Sequence, residues 1–330
     1  MKHLVLSDNQ SRRLAFYLAM EEWAASSLPA DEYFFAWRVA PTVICGRNQD
    51  IEKEVNLAYC RAEGIDVVRR RSGGGCVYAD MNNWMFSYIT PSTSVASTFS
   101  RYTSMVARML GSLGFDAHAT GRNDIFIGDR KVAGNAYYHL PDRSIVHGTM
   151  LCDVDLARMS QAITPSRAKL ESKAVKSVQS HVTCLKAEGM TLSVEAFGRY
   201  AIDFLCDDKQ IILTAADKAQ IEALEQRYYA PDYIRIAAPS VNNQGDVVTR
   251  QRRIEGVGEF DVTLLLSSDG TIADIDLKGD YFVVGDIDAL VGALRGVAYD
   301  RQTISAAVAK TNPSTAVAGL SLDDLILLLI

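Results

Sequence analysis

Apolar residues recur at helical spacing from Arg12 to Ser26, with Leu14, Tyr17 and Leu18 among them and Glu21 and Glu22 outward, which predicts an amphipathic helix. The rhythm then changes. Short runs rich in aromatic and β-branched residues at Tyr33–Val39, Thr42–Gly46, Val67–Arg71, Cys76–Ala79 and Trp84–Ile89 each predict a strand. Thr98–Leu113 reads as a helix closed by Gly114. Asp124–Ile127, Lys131–Tyr138 and Ser144–Asp153 predict three neighbouring strands, divided by turn signals at Gly128-Asp129 and Pro141-Asp142.

The second half is organised differently. Thr164–Thr183 is polar and lysine-rich and predicts a short helix with loops, and Thr191–Asp207 and Ala215–Tyr228 predict helices. Ala237–Val248 holds Pro239, Asn242-Asn243 and Gly245 and reads as a linker. Beyond it, Gly256–Leu266 and Thr271–Lys278 predict two strands around a Ser268-Asp269-Gly270 turn. Asp286–Leu294 and Arg301–Ala309 predict helices. Ser321–Ile330 predicts a last one, whose Ser321, Asp323 and Asp324 suit a helix N-terminus.

Candidate chemistry sits in two stretches. Arg69-Arg70-Arg71-Ser72-Gly73-Gly74-Gly75-Cys76-Val77-Tyr78 is a basic run flowing into three glycines. Glycines let backbone N–H groups approach a ligand closely, and arginines make fork-shaped contacts to phosphate. Taken alone, three glycines are more often a turn between strands. No Gly-Lys-Ser/Thr follows them, and the spacing of a dinucleotide fingerprint is absent. The second stretch joins Gly121-Arg122-Asn123-Asp124 to Arg130-Lys131-Val132-Ala133-Gly134-Asn135-Ala136. A lysine among small residues can meet a phosphate or acyl oxygen as a point charge.

These motifs in this order, with His147-Gly148-Thr149, resemble the lipoate–protein ligases. Leu14–Glu22 looks like their first helix and Ile44–Gln49 like the strand and loop after it. Gly279-Asp280-Tyr281-Phe282 and Leu294–Tyr299 resemble their C-terminal accessory domain. The resemblance implies an α+β fold: a mixed or antiparallel sheet domain of the biotin/lipoate ligase type over residues 1–243, and a small α/β domain over 244–330. It implies that ATP and lipoate are substrates, Mg²⁺ a cofactor, and lipoyl-AMP the intermediate. Acceptors would be lipoyl carrier domains, such as those of the E2 subunits of 2-oxoacid dehydrogenases and the glycine cleavage H protein.

By the same resemblance Lys131 is the catalytic lysine, touching both the acyl carbonyl and the α-phosphate. Arg70 contacts the nucleotide phosphates, Gly73, Gly74 and Gly75 shape their loop, and Cys76, Val77 and Tyr78 line the adenosine. His147 lies near the acyl group, and equally suits a structural role as a lone strand histidine. Asp124 is read either as a Mg²⁺ ligand or as a turn aspartate. Arg130 is expected to face solvent, and Arg69 and Arg71 to lie on the face opposite Arg70, as solvated surface or docking for an acidic partner. Two positions depart from the family: Ala79 stands where a histidine is usual, and no tryptophan segment is recognisable around Tyr228–Pro239.

Composition narrows the partners. A net charge of −6 argues against a general nucleic-acid binder, so the arginine run suits a small anion better than a duplex. The uninterrupted apolar run Leu325–Ile330 is too short for a membrane span, and the first residues show no signal-peptide core. Six cysteines with no Cys-x-x-Cys pair predict reduced thiols in a cytoplasmic protein. Two other functions compete with the ligase. An ATP-independent octanoyl or lipoyl transferase of the same fold would need a nucleophile such as Cys152. A non-catalytic lipoate-binding protein would have no need of Arg70, Asp124 and Lys131.

Overall fold

The computed structural model describes residues 1–8, 10–92, 94–119, 123–163, 182–235 and 246–330. Gly121 and Arg122, most of Thr164–Thr183 and most of the expected linker lie outside the described residues. The chain divides into two compact units. The larger comprises Met1–Cys45, Glu52–Arg70 and Cys76–Ile234, and the smaller Gly46–Ile51, Arg71–Gly75 and Arg235–Ile330.

Among the described residues of the larger unit an eight-stranded sheet runs in the order β11 (Gln210–Leu213), β1 (Lys2–Leu6), β2 (Tyr33–Trp37), β6 (Asn83–Thr90), β10 (Arg143–Leu151), β9 (Arg130–Leu140), β8 (Asp124–Ile127), β7 (Ala117–Ala119). It is antiparallel from β2 to β7, while β1 pairs in parallel with both β2 and β11. A smaller sheet sets β3 (Thr42–Cys45) between β4 (Asp66–Arg69), parallel to it, and β5 (Val77–Ala79), antiparallel to it. The fold is α+β, as the sequence implied.

Helix α1 (Leu14–Ser27) packs on β6 and β10, and Pro29, two residues past its end, suits that stop. It is not amphipathic as expected. Every residue from Leu14 to Ala25 is buried, including Glu21 and Glu22. Glu22 accepts a hydrogen bond from the Tyr228 hydroxyl and pairs with Arg227, so the carboxylates point inward because partners wait there. The helix Val95–Ser112 packs on β10, and the helix Val194–Leu205 on β2 and β6. With helices packed on it, β10 is buried at eight of nine positions, the polar Ser144, His147 and Thr149 included.

The smaller unit holds β12 (Val247–Ile254), β13 (Gly258–Leu266) and β14 (Ile272–Asp280) as an antiparallel meander. Phe260, Val262 and Leu264 join Leu325, Leu328 and Leu329 of the helix Leu322–Leu329 in its core. A capping box between Ser321 and Asp324 starts that helix. Several elements escaped the sequence pattern. Strands β1, β7 and β11 are three to five residues long, too short to establish a period. Strand β12 carries Arg250, Arg252 and Arg253 at the edge of its sheet, where the backbone pairs on one side only and apolar alternation is not required.

Candidate active site

The lysine motif folds as a hairpin. Gly128, at φ 57°, turns the chain between β8 and β9. Asp124 stands opposite Gly134, and an irregularity in register after Ile125 brings Lys131 opposite Phe126. Lys131 Nζ then reaches across the ladder to Asp124 Oδ1 at 2.7 Å, with the side chains 31% and 24% exposed. Gly134 makes this reach possible. A Cβ there would lie 3.0 Å from Lys131 Nζ and 3.1 Å from its Cε.

Two asparagines of the same motifs clamp the hairpin. The Asn135 backbone N–H and side-chain amide donate to the Asn123 carbonyl at 3.0 and 2.8 Å, while the Asn123 amide donates to the Asn135 carbonyl at 2.9 Å. Gly148 on β10 leaves the space for the Asn135 side chain, whose Oδ1 would lie 1.9 Å from a Cβ at that position. Neither asparagine was assigned a role from sequence, although both belong to the motifs singled out there. Arg130 is half-exposed and pairs with Glu188 at 2.7 Å, on the solvent side as expected.

His147, at the middle of β10, is buried against α1. Its Nδ1 lies 3.0 and 2.9 Å from the two oxygens of Glu21, a residue with no exposed surface. A carboxylate can only accept, so Nδ1 carries the proton in this arrangement. Glu21 also accepts from the Ser87 hydroxyl at 2.6 Å and the Tyr138 hydroxyl at 3.3 Å, and Ser87 accepts from the Trp37 indole at 2.9 Å. Sequence reasoning missed this network because Glu21 was placed on the outer face of its helix. A pair of carboxylates inside an otherwise apolar helix was the available signal.

In the arginine run Arg69 and Arg70 are buried and Arg71 is half-buried. Arg69 is 3% exposed and its Nε donates to the Ile234 carbonyl at 2.9 Å, so its expected surface position is corrected. Arg70 donates from its backbone N–H to the Cys45 carbonyl at 2.9 Å and from its guanidinium to the Ile44 carbonyl at 3.0 Å. In the smaller unit the Gly74 N–H donates to the Tyr281 carbonyl at 3.0 Å, and a Cβ at Gly73 would lie 2.2 Å from that oxygen. Gly74 has φ 87°, a conformation that favours glycine. Gly73 is thus required by close approach to polypeptide backbone, and Gly74 by its positive φ.

Cys76 lies just before β5, its Sγ 3.4 Å from Cys45 Sγ. The shared S–H and burial push its thiol well above the usual range, so no activated nucleophile stands there. Tyr78 is buried, and burial pushes its hydroxyl up to about 12. Cys152 is fully buried with its thiol pushed far upward by burial, the opposite of what a transferase nucleophile needs. Among the described residues no three His, Cys, Asp or Glu side chains gather to hold a metal ion. Mg²⁺ needs only one or two protein carboxylates where phosphate oxygens complete its shell, and Asp124 fits that requirement.

A cavity of about 390 Å³ opens where β1 and β2, paired at Lys2–Tyr33 and His3–Phe34, part company. Leu4, Leu6, Tyr17, Met20, Phe35 and Trp37 line it, together with polar residues. Tyr17 and Trp37 stack with ring centroids 4.6 Å apart. Neither Lys131, Asp124 nor His147 lines this space. No described helix is long and apolar enough to cross a membrane.

Comparison with known proteins adds to this geometry. Residues 13–205 match the family described as the lipoyl protein ligase A/B catalytic domain, and residues 247–329 the bacterial lipoate protein ligase C-terminus. The chain is 34% identical over 314 residues to lipoate–protein ligase 1 of Staphylococcus aureus, covering 92% of this chain and 93% of that protein. It superposes on P. falciparum LipL1, solved in complex with lipoate, with a TM-score of 0.78 at 18% identity over 98% of both chains. A lipoate–protein ligase A bound with ATP superposes with a TM-score of 0.62 at 22% identity, over 71% of this chain and 98% of that one. With both parts of the family pattern present and a close relative matched over nearly its whole length, the chain belongs to the lipoate–protein ligase family.

Proposed function

We propose that the protein joins lipoate to a lysine of an acceptor protein in two steps driven by ATP. In the first the lipoate carboxylate attacks the α-phosphorus, forming lipoyl-AMP and releasing pyrophosphate. In the second the acceptor amine attacks the acyl carbon, forming an amide and releasing AMP. Activation is needed because hydroxide is too poor a leaving group for amide formation at neutral pH. The observation that carries this reading is the part-exposed Lys131–Asp124 pair on its asparagine-clamped hairpin. A lysine so placed can exchange its carboxylate for the oxygens on which charge develops.

Lys131 acts at the reacting centre. Arg70, Gly73, Gly74, Gly75, Cys76, Val77 and Tyr78 bind the nucleotide, and His147 contributes to lipoate binding with its ring oriented by Glu21. Asp124 would hold Mg²⁺, which supplies charge neutralisation on the phosphates when bound. Residues 1–243 form the catalytic domain and 244–330 the accessory domain. The acceptors are lipoyl carrier domains, including those of E2 subunits and the glycine cleavage H protein. The protein works in the cytoplasm, without nucleic acid or membrane partners.

Lipoate-dependent exchange of pyrophosphate into ATP by the purified protein tests the first step, with octanoate and biotin as comparison acids. Absence of exchange, together with ATP-free acyl transfer from a carrier thioester, would establish the transferase in its place. The depth of Cys152 speaks against that outcome.

A further inference from the structure

We infer that Cys45 and Cys76 form a reversible disulfide that fixes the stem of the Arg71–Gly75 segment and switches off nucleotide-dependent activity. The loss of activity rests on the function proposed above; the bond itself does not. The two sulfurs stand 3.4 Å apart before any bond exists. Strands β3 and β5 pair in antiparallel fashion through Ile44 and Val77, which makes Cys45 and Cys76 the next facing residues. Facing Cα atoms in such a ladder are about 4.5–5.5 Å apart. A disulfide accepts about 4.4–6.8 Å, so side-chain rotation closes the bond without moving the strands.

The place gives the bond its effect. Cys45 sits on the central strand of its sheet. On one side its carbonyl accepts the Arg70 amide, the last residue before Arg71; on the other its thiol meets Cys76, the first residue after Gly75. One side chain thus holds both ends of the segment. In the reduced protein the Cys76 end is tied here by a weak sulfur contact, and in the oxidised protein by a covalent bond. Cys45 is fully buried while Cys76 is only partly so, and an oxidant enters at Cys76.

A hydroperoxide balances the reaction. The Cys76 thiolate attacks one peroxide oxygen, breaks the O–O bond and becomes a sulfenic acid as hydroxide leaves. Cys45 then attacks that sulfur and displaces hydroxide, which leaves as water. Two thiols and one hydrogen peroxide give one disulfide and two waters, with two electrons passing from sulfur to oxygen. Because the shared S–H keeps Cys76 protonated near neutrality, the bond forms slowly and faster as pH rises.

The test treats the full chain with hydrogen peroxide at neutral and mildly alkaline pH, then maps unreduced peptides by mass. The expected result is a linked pair carrying Cys45 and Cys76, lighter by two hydrogens than its parts and separated by dithiothreitol. Oxidised protein should lose about tenfold or more of its lipoate-dependent pyrophosphate exchange, as a binding segment no longer free to adjust to its ligand would. Reduction should restore it, and Cys45→Ala should keep its activity through the same treatment. A folded protein with no such linked pair overturns the inference. So does a linked pair with undiminished exchange, or equal loss in Cys45→Ala. If the reduced protein shows no exchange at all, the proposed function fails while the peptide map still decides the bond.

Discussion

The larger unit contains two carboxylate–nitrogen contacts of nearly the same length that do opposite work. Glu21 and His147 meet at 2.9 Å with almost no exposed surface, and Asp124 and Lys131 at 2.7 Å with a quarter to a third of each side chain open to solvent. Around Glu21, donors from Ser87 and Tyr138 add to the histidine. Removal of the carboxylate strands those groups where no water can replace it. Around Asp124 the contact is within reach of solvent, so it can be exchanged for a ligand at small cost. Proximity of a carboxylate to a nitrogen donor does not distinguish scaffold from reactive site; the freedom of each partner to leave does.

The comparison breaks most plainly at Glu21. Glu21→Ala should destabilise the protein by about 3–5 kcal/mol, because the buried Ser87, Tyr138 and His147 donors all lose their acceptor. Urea denaturation of variant and wild type reads this directly. A loss of less than about 1 kcal/mol would mean the buried network is not structural.

Lys131→Ala should show the reverse. Pyrophosphate exchange should fall about a hundred- to a thousandfold, equivalent to about 3–4 kcal/mol of lost transition-state stabilisation. Its denaturation midpoint should move little, because a part-exposed pair contributes under about 1 kcal/mol. Near-normal exchange would place the reacting centre elsewhere.

Gly134→Ala sharpens the distinction without touching either charge. Its methyl would press on the flexible end of Lys131, which can swing away. Exchange should fall about tenfold through misplacement, with stability changed by less than about 1 kcal/mol. Comparable unfolding in this variant and in Glu21→Ala would erase the contrast.

The smallest effect belongs to Arg130→Ala. Its pair with Glu188 is half-exposed on the arginine side, so about 1 kcal/mol or less should be lost and exchange should stay near wild type. An activity loss matching that of Lys131→Ala would show that the two neighbours do not divide their roles as proposed.

The sequence was legible where local rules decide. The capped helix at Ser321–Ile330 and the strand at Trp84–Ile89 fell where their spacing put them. It was illegible where the deciding partner comes from far along the chain. Glu21 turns inward for a histidine 126 residues away, and Arg69 for a carbonyl 165 residues away. The Asp124–Lys131 hairpin was half visible: its strands and turn were readable, but the shift in register that joins the two side chains belongs to the folded ladder. The motif residues reached their positions by resemblance, while Asn123 and Asn135 gained their clamping role only from coordinates.

Gly73 answers to two masters. Whatever it offers a nucleotide, a methyl group there would lie 2.2 Å from the Tyr281 carbonyl oxygen, far inside contact distance. A descendant of this protein that lost all use for ATP would therefore still be held to glycine at this position for as long as it kept this fold. Descent can thus preserve the appearance of a phosphate loop after the occupation is gone, and inherited glycines here are weak testimony about trade. Position 131, which no neighbour requires to be lysine for packing, is the one whose drift would betray a change of livelihood.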